Sequence, residues 1–337
     1  MKRVTIKDVA REAGVSISTV SNALNHVEVL HPKTRAHVLK VAERLNYFPN
    51  QNGQGLRTKE TKAIGLFVSE LTGNYYGILA DTMHWACQKH GYELYIYITN
   101  QCATIFSNII GRRVDGAVIL YEGIAGDALK MLTDSGRPVV FIDREIEGQT
   151  VGSVVFDSLH EGEMATQYLI SLGHKDLMFI QGLPDNYDSI CRYQGFKRAL
   201  ENHGLSLRPE NLLNGLFEQK EAYREMKRFI SKGYRLPEAI FAANDQSAVG
   251  AIKALRDAGV RVPEDVSIVG CDDIDLCELL DPPLTTIHTS FQQQGEVAID
   301  MLMGMLDGSK PGNTLQMNGK LIIRKSCQAR KENGGSP

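Results

Sequence analysis

Polar and aromatic side chains recur at the ends of short apolar runs after residue 62. Carboxylates and amides can hydrogen-bond pairs of hydroxyl groups, and aromatic rings can cover the apolar face of a sugar or a base. The set comprises Tyr75, Tyr76, Asp143, Arg144, Asn186, Asp188, Arg192, Phe217, Asn244, Asp245 and Asp272. These residue types predict a site for a small hydroxylated ligand.

A short segment near the N-terminus carries a different chemistry. At helical spacing, Ile17, Ser18 and Asn22 face away from the apolar positions of that segment. Asparagine can pair with adenine through two hydrogen bonds, serine can bond either base, and isoleucine can contact the methyl group of thymine. Small polar residues that face outward near the start of a helix suit a DNA groove.

The motifs of common enzymes are missing from the sequence. It contains no G-x-S-x-G, no H-E-x-x-H, no G-x-x-x-x-G-K-[ST], and no G-x-G-x-x-G after a strand pattern. The six cysteines include no C-x-x-C pair, so we expect reduced thiols, no metal site and no cofactor. The sequence therefore favours a binding protein over an enzyme.

The charge is distributed unevenly along the 337 residues, of which 43% are hydrophobic and 23% charged. Residues 1–62 hold 11 Lys and Arg against 5 Asp and Glu, a net +6, whereas the rest of the chain carries a net −9. A basic segment on an acidic body is typical of a nucleic-acid-binding module joined to an unrelated domain. With no signal segment and no run of 18 apolar residues, we expect a cytoplasmic location.

The basic segment has the pattern of three helices. The first helix is expected to begin after Thr5, whose hydroxyl can cap it while Asp8 reaches back, and to end at Gly14. Ser16 can then cap a second helix over 17–24. Two short helices joined by a glycine turn are typical of a helix-turn-helix unit.

A third helix is expected from about Pro32 to Tyr47, because Pro49 prevents its continuation. Its predicted core face consists of Val38, Leu39, Val41, Ala42 and Leu45.

The body alternates β-rich runs with amphipathic helical stretches. The first five runs are AIGLFVS, YELYIYI, DGAVIL, PVVFID and VGSVVF, and after Gly173 the pattern restarts with DLMFIQG, AIFAAND, VSIVGCDD and TTIHTS. This βαβ alternation predicts two open parallel sheets, whose ligand-facing loops follow the carboxyl ends of the strands.

The segments VTIKDVAREAGVSISTVSNALN, TRAHVLKVAERLNYFPN and LRTKETKAIGLFV closely resemble the start of the LacI/GalR family of bacterial transcription regulators, and the resemblance continues to the C-terminus. It implies an α/β chain with a three-helix helix-turn-helix head and a two-lobed body like the periplasmic binding proteins. The second helix would lie in the major groove, with base contacts from Ile17, Ser18 and Asn22. Phosphate contacts would come from Thr5, Ser16, Thr19 and Ser21.

The resemblance also implies the domain boundaries. The head would span residues 1–49, a hinge residues 50–62 and the effector-binding and dimerisation body residues 63–337. Because the chain would cross between the lobes three times, lobe one would comprise about 63–160 and 292–320. Lobe two would comprise about 161–291 and 321–330.

The hinge departs from the family pattern. Leu56 matches the leucine that family members insert between base pairs, but Gly53 and Gly55 weaken a helix by about 1 kcal/mol each. We hypothesise that this hinge is disordered off DNA and that operator binding is weaker, or more effector-dependent, than in other members. A plain Gly/Asn linker without a DNA role is the alternative.

The resemblance assigns effector contacts in the body. Arg192, in the pattern R-x-x-G-F, would hold two ligand oxygens with its guanidinium fork, and a surface ion pair is the alternative. Asp143 would bind the ligand or merely end a solvated turn. The other implied contacts are Tyr75, Tyr76, Asn244 and Asp272. Asn186 and Asp188 align with positions that discriminate between ligands, and Phe217 aligns with an aromatic lid.

The function implied is a homodimeric repressor that binds a near-palindromic operator in the nucleoid and responds to a small-molecule effector. Aspartates, Arg192 and tyrosines favour a monosaccharide or small glycoside over a purine. We expect the effector to induce, that is, to lower operator affinity. A corepressed regulator, whose effector raises that affinity, is an alternative. A ligand sensor with weak or absent specific DNA binding is another, while a periplasmic sugar-binding protein is disfavoured by the head.

Overall fold

The computed structural model describes residues 4–24, 30–47, 60–142 and 144–330. The chain divides into two compact units, Met1–Thr61 and Lys62–Pro337, which we call the head and the body. Within the described residues, no helix combines the length and apolar character needed to span a bilayer.

The head contains the three helices that the sequence predicts: α1 (Ile6–Ala13), α2 (Ile17–Leu24) and α3 (Pro32–Arg44). They enclose a small apolar core formed by Val9, Ala10, Ala13, Val20, Ala23, Val38, Val41 and Ala42. Two details of the prediction for α3 are wrong. The helix ends at Arg44 rather than Tyr47, and Leu39 is 37% exposed because it lies beside the buried face and not on it.

The ends of the head helices follow their local sequence. The Asp8 carboxylate accepts hydrogen bonds from the Thr5 backbone N–H (2.9 Å) and the Thr5 hydroxyl (2.7 Å). Thr5 and Asp8 form the predicted capping box, in which the Thr5 side chain faces the Asp8 backbone N–H and the Asp8 carboxylate reaches back to Thr5. Gly14 ends α1 in the left-handed conformation at φ 63°, and Ser16 Oγ caps α2 by accepting from the Thr19 N–H at 3.1 Å.

Lobe one of the body is built on a six-stranded parallel sheet in the order β11-β5-β4-β3-β1-β2. Its strands are β1 (Ala63–Val68), β2 (Glu93–Ile98), β3 (Gly116–Leu120), β4 (Val139–Phe141), β5 (Val151–Phe156) and β11 (Thr314–Met317). Its helices are α4 (Asn74–Lys89), α5 (Cys102–Ile109), α6 (Gly126–Asp134) and α12 (Phe291–Leu306). Buried Val, Ile, Leu and Phe side chains of the inner strands form its core against these helices.

Lobe two repeats this plan with the strand order β12-β10-β9-β8-β6-β7, in which β12 alone among the described strands pairs antiparallel. Its strands are β6 (Leu177–Gln181), β7 (Leu212–Asn214), β8 (Ala239–Ala242), β9 (Ser267–Asp272), β10 (Thr285–His288) and β12 (Lys320–Ile322). Its helices are α7 (Ser158–Ser171), α8 (Tyr187–Asn202), α9 (Gln219–Ser231), α10 (Asp245–Asp257) and α11 (Leu276–Leu279), and a 3₁₀ turn covers Pro209–Asn211.

The chain passes between the lobes at three places: between β5 and α7, between β10 and α12, and between β11 and β12. Gly319 lies in the third passage, where a Cβ would lie 2.6 Å from Ile287 Cγ2 and 2.8 Å from Glu161 Oε1. The two parallel sheets confirm the predicted fold class. The sequence patterns did not predict β7, α9, β11 and β12.

Candidate functional site

The outward face of α2 carries the residues predicted to contact bases. Ile17 is 46% exposed, and Ser18 is also exposed. Asn22 is partly exposed on the same helix. Since Val20 and Ala23 hold the opposite face in the core, α2 presents a rigid and mainly uncharged surface.

The residues predicted to contact phosphate lie around the first turns of α1 and α2. Ser16 Oγ is 2.7 Å from Ser18 Oγ and 2.9 Å from Thr19 Oγ1, so three hydroxyls cluster where α2 begins. Backbone N–H groups at a helix start, together with hydroxyls, suit a phosphate oxygen. Ser21 lies one turn later and is partly exposed. Leu56 and the two glycines of the predicted hinge lie outside the described residues.

In the body, the predicted effector residues lie at the carboxyl ends of the strands of both lobes. Tyr75 and Tyr76 begin the helix after β1, whereas Asn186, Asp188 and Arg192 occupy the start of α8 after β6. Phe217 follows β7, Asn244 follows β8, and Asp272 is the last residue of β9. Asp143 lies outside the described residues. We call the space between these strand ends the cleft.

On the lobe one side, the two tyrosines form an aromatic wall. Tyr75 packs edge-on against Tyr76 and Phe291, with ring centroids 5.5 and 4.7 Å apart, and its hydroxyl donates to Gln294 Oε1 at 3.0 Å. Burial raises the pKa of Tyr76 to about 12, and the negative charges of Glu70 and Glu122 add to this rise. The Tyr76 phenol therefore stays neutral at physiological pH, and the two rings can cover an apolar ligand face.

On the lobe two side, Arg192 is buried and already bonded within the protein. Its Nε donates to Glu161 Oε2 at 3.0 Å, and its Nη1 donates to the Ala243 carbonyl at 2.9 Å. Glu161 is itself fully buried. Burial raises the pKa of Glu161, and the guanidinium of Arg192 opposes that rise.

Two aspartates flank this ion pair. Asp188 lies one helical turn before Arg192 and accepts a hydrogen bond of 2.7 Å from Ser158 Oγ. Asp272 Oδ1 lies 3.9 Å from Arg192 Nη1, and Asp272 takes a φ of 118°, which non-glycine residues rarely adopt. Burial raises the pKa of Asp272 and Arg192 opposes the rise. The centre of the cleft thus holds more carboxyl groups than cations.

Asn244, predicted as a ligand contact, is hydrogen-bonded to the backbone of Phe217 and to the start of α10. Asn244 Oδ1 caps α10 by accepting from the Ser247 N–H at 2.9 Å, while its Nδ2 donates to the Phe217 carbonyl at 3.0 Å. The Phe217 ring rests against the Gly182 backbone, where a Cβ would overlap it. The nearby Asp245 is buried and accepts from Thr286, Cys277 and the Ile274 N–H, so it anchors the loop after β9.

Two side-chain hydrogen bonds join the lobes across the part of the cleft that the structure describes. Asn186 Nδ2 donates to Glu122 Oε1 at 3.0 Å, and the Tyr187 hydroxyl donates to Glu145 Oε1. Burial and this bond raise the pKa of Tyr187. Asn186, predicted as a ligand contact, therefore holds the lobes together in this arrangement.

Comparison with known proteins agrees with this architecture. Residues 5–50 match the family of bacterial regulatory proteins of the lacI type, and residues 166–327 match a periplasmic binding protein-like domain. The HTH-type transcriptional repressor PurR of Pasteurella multocida is 34% identical over 97% of this chain and 99% of its own. The chain belongs to the LacI family.

Solved structures of the same family superpose over nearly the whole chain. The lac repressor dimer bound to operator and the anti-inducer ONPF gives a TM-score of 0.84 at 27% identity, covering 97% of this chain and all of that one. The complex of the regulator CelR with cellobiose gives 0.71 at 27% identity, covering 96% and 100%. As a LacI-family member, the chain is a DNA-binding transcription regulator, and its relatives named above are regulators rather than enzymes.

Three acidic residues of this LacI-family cleft were missed by the sequence analysis: Glu122, Glu145 and Glu161. Glu122 and Glu145 follow β3 and β4 shortly after the strand ends, which is the position that identified the other candidates. Glu161 lies on α7 four and eight residues before the buried Ala165 and Leu169. A carboxylate on an otherwise apolar helical face is a signal for a buried charge, and it could have been noticed.

Proposed function

We propose that the protein is a homodimeric repressor that binds a near-palindromic DNA operator through its head and a small molecule in the cleft. The observation that carries this proposal is the convergence of side chains from both lobes on one cleft, with direct contacts between the lobes at its edge. A ligand that contacts both lobes favours one arrangement of the lobes over another. Its binding would therefore be coupled to DNA binding by the head.

Helix α2 would recognise the DNA sequence. Its exposed Ile17, Ser18 and Asn22 offer an apolar contact, a hydroxyl and an amide to base edges, while Thr5, Ser16, Thr19 and Ser21 would position the helix on phosphates. Two heads placed about one helical turn apart would match the two halves of a near-palindrome.

Dimerisation is supported by exposed apolar residues of the body. In lobe one, Trp85 on α4 is 57% exposed and Ile98 on the edge strand β2 is 60% exposed. In lobe two, Leu279 on α11 is 80% exposed. Large exposed apolar side chains on an unpaired sheet edge favour a contact with a second copy.

For the effector we favour a sugar or sugar derivative. The aromatic wall of Tyr75 and Tyr76 can stack on an apolar sugar face, while Asp188 and Asp272 can accept hydroxyl hydrogens. The related CelR structure holds cellobiose. We expect the effector to weaken operator binding, with a coupling of about 1–3 kcal/mol. The protein would act in the cytoplasm, at the nucleoid.

Selection of bound sequences from a randomised palindrome library, with the full-length protein, tests this function. We expect one enriched palindrome and a steep loss of affinity as salt increases. Asn22→Ala should relax the preference at one base pair of each half-site, whereas Leu39→Ala, an exposed change on α3, should not. No enrichment at low salt would favour the alternative of a ligand sensor without specific DNA binding. Tighter operator binding with the effector would favour corepression.

Sedimentation of the full-length protein tests the dimer. We expect Ile98→Lys or Leu279→Lys to shift it towards the monomer, because burying an unpaired ammonium group in an interface is unfavourable. Met131→Lys, an exposed apolar site on α6, is the matched control and should sediment like the wild type.

A further inference from the structure

Arg192 is the cation on the lobe two side of the described part of the cleft, and it is engaged before any ligand arrives. On the lobe one side, Arg144 donates to the backbone carbonyls of Tyr121 and Ile124. The Nε and Nη1 of Arg192 donate to Glu161 and to the Ala243 carbonyl, and the side chains of Arg192 and Glu161 are at least 95% inaccessible to solvent. A guanidinium binds anions through a fork of adjacent N–H groups. Here one side of the fork is occupied by a carboxylate that cannot move into solvent.

Within the described residues, the charged carboxyl side chains that act on Arg192 are those of Glu161, Asp188 and Asp272. Asp188 lies one turn away on α8, and Asp272 Oδ1 lies 3.9 Å from Nη1. From lobe one, the side chains that reach α8 are Glu122 and Glu145. An anionic ligand would therefore meet several carboxylates and a guanidinium whose charge is already balanced.

Glu161 also offers an unused acceptor. Its Oε2 receives Arg192, whereas its Oε1 is buried and has no hydrogen-bond partner among the described residues. A buried carboxylate oxygen without a donor is unfavourable, so it favours a ligand, or water carried with it, that brings an N–H or O–H group.

We propose that Glu161 determines which ligands the cleft accepts: by balancing Arg192 it excludes anions and selects neutral or cationic molecules that are rich in hydrogen-bond donors. Sugars and amino sugars belong to the accepted class, and sugar phosphates, carboxylates and nucleotides to the excluded class. This inference rests on the proposed function, because it assumes that the effector binds in the cleft. It adds the charge of the effector and the residue that sets it.

Inorganic phosphate is a probe that requires neither the effector nor DNA. We would compare the full-length wild type with Glu161→Gln and Glu161→Asp in phosphate and in potassium chloride of equal ionic strength. Hydrogen exchange of the peptides over 158–171 and 187–202 reports on α7 and α8 directly. Phosphate bound to the head would act on all of these proteins alike, so it cannot produce a difference between them.

In the wild type and in Glu161→Asp, which keeps the negative charge, we expect phosphate to leave exchange in both helices unchanged. In Glu161→Gln the charge of Arg192 is no longer balanced, so exchange should slow about tenfold once phosphate reaches ten times its dissociation constant. Adding Arg192→Gln to that variant should abolish the protection.

Protection of the wild type by phosphate would overturn the proposal, because Arg192 would then be available in the presence of Glu161. If phosphate protects neither the wild type nor Glu161→Gln nor Glu161→Asp, the proposal is also overturned, since a group other than Glu161 would then exclude anions. Should Glu161→Gln fail to fold, the wild type is compared in glucose and in glucose 6-phosphate. Stronger protection from exchange by glucose 6-phosphate than by glucose contradicts the proposal, and protection by glucose without protection by the ester supports it. These results are independent of operator binding, so failure of the proposed function would be recognised separately.

Discussion

The side-chain amide of Asn186 donates a hydrogen bond of 3.0 Å to Oε1 of Glu122, and this bond joins lobe two to lobe one across the cleft. The same residue caps α8, since its Oδ1 accepts from the Ser189 N–H at 3.1 Å. One side chain therefore starts the helix that carries Arg192 and also holds the two lobes together.

We predict that Asn186→Asp opens the cleft without removing the helix cap. Aspartate keeps the acceptor for Ser189 but loses the amide donor, and it places a second carboxylate beside Glu122. A lost bond to a charged group is worth about 1–3 kcal/mol. Faster hydrogen exchange over 121–124 and 186–190 would report the opening.

The partner substitution Glu122→Gln provides the control. Combined with Asn186→Asp, it supplies an amide donor on the opposite side, so the bond can form with reversed polarity and exchange should return towards the wild-type rate. If the double variant exchanges as fast as the single one, this contact does not hold the lobes together.

A second prediction concerns pH. Burial raises the pKa of Asp245 from 3.8 to about 6, although bonds from Thr286, Cys277 and the loop backbone oppose the rise. Between about pH 4 and pH 6 the native state keeps a proton that the unfolded state releases. The contribution of Asp245 to stability is therefore greatest at low pH and is lost as the pH rises through 6, by up to about 3 kcal/mol.

Urea unfolding of the full-length protein at pH 4.5, 5.5 and 7 measures this effect, with Asp245→Asn as the comparison. The variant should be less stable throughout, because the amide cannot accept all three bonds. It should also lose less stability than the wild type between pH 4.5 and pH 7. Parallel pH profiles for the two proteins would show that Asp245 does not titrate in this range.

The third passage between the lobes should not tolerate a larger residue than glycine. A Cβ at Gly319 would lie 2.6 Å from Ile287 and 2.8 Å from Glu161 Oε1. We expect Gly319→Ala to lower the free energy of unfolding by about 1–3 kcal/mol, as overpacking does elsewhere. Gly148→Ala, whose new Cβ would lie no closer than 4.0 Å to any neighbour, serves as the control. Equal midpoints of urea unfolding would contradict the close contact.

The hinge hypothesis gives a prediction from sequence alone. Gly53→Ala with Gly55→Ala should favour a helix by about 2 kcal/mol per chain, or about 4 per dimer at most. Operator affinity should rise by up to about two to three decades, measured by fluorescence anisotropy on the selected operator. Gln54→Ala, between two unchanged glycines, should have little effect. Unchanged affinity in the double variant would favour the plain linker.

The local sequence determined the elements and the edge of the body on which its site lies. Gly14, Ser16 and Val20 act through neighbours one to four residues away, so their spacing predicted the two short helices of the head. The βαβ alternation predicted two parallel sheets, and parallel strands place their carboxyl ends together. Strand ends were therefore sufficient to nominate Tyr75, Arg192 and Asp272.

The tertiary structure decided what those side chains touch. Arg192 meets Glu161 from 31 residues away, and Asn186 meets Glu122 from 64 residues away. The periodicity of the local sequence does not predict such pairs, since they depend on how α7 packs on α8 and on how the lobes are joined. The sequence thus nominated Arg192 and Asn186 as ligand contacts, and only the packing of distant segments showed that one is balanced by a buried glutamate and the other spans the lobes.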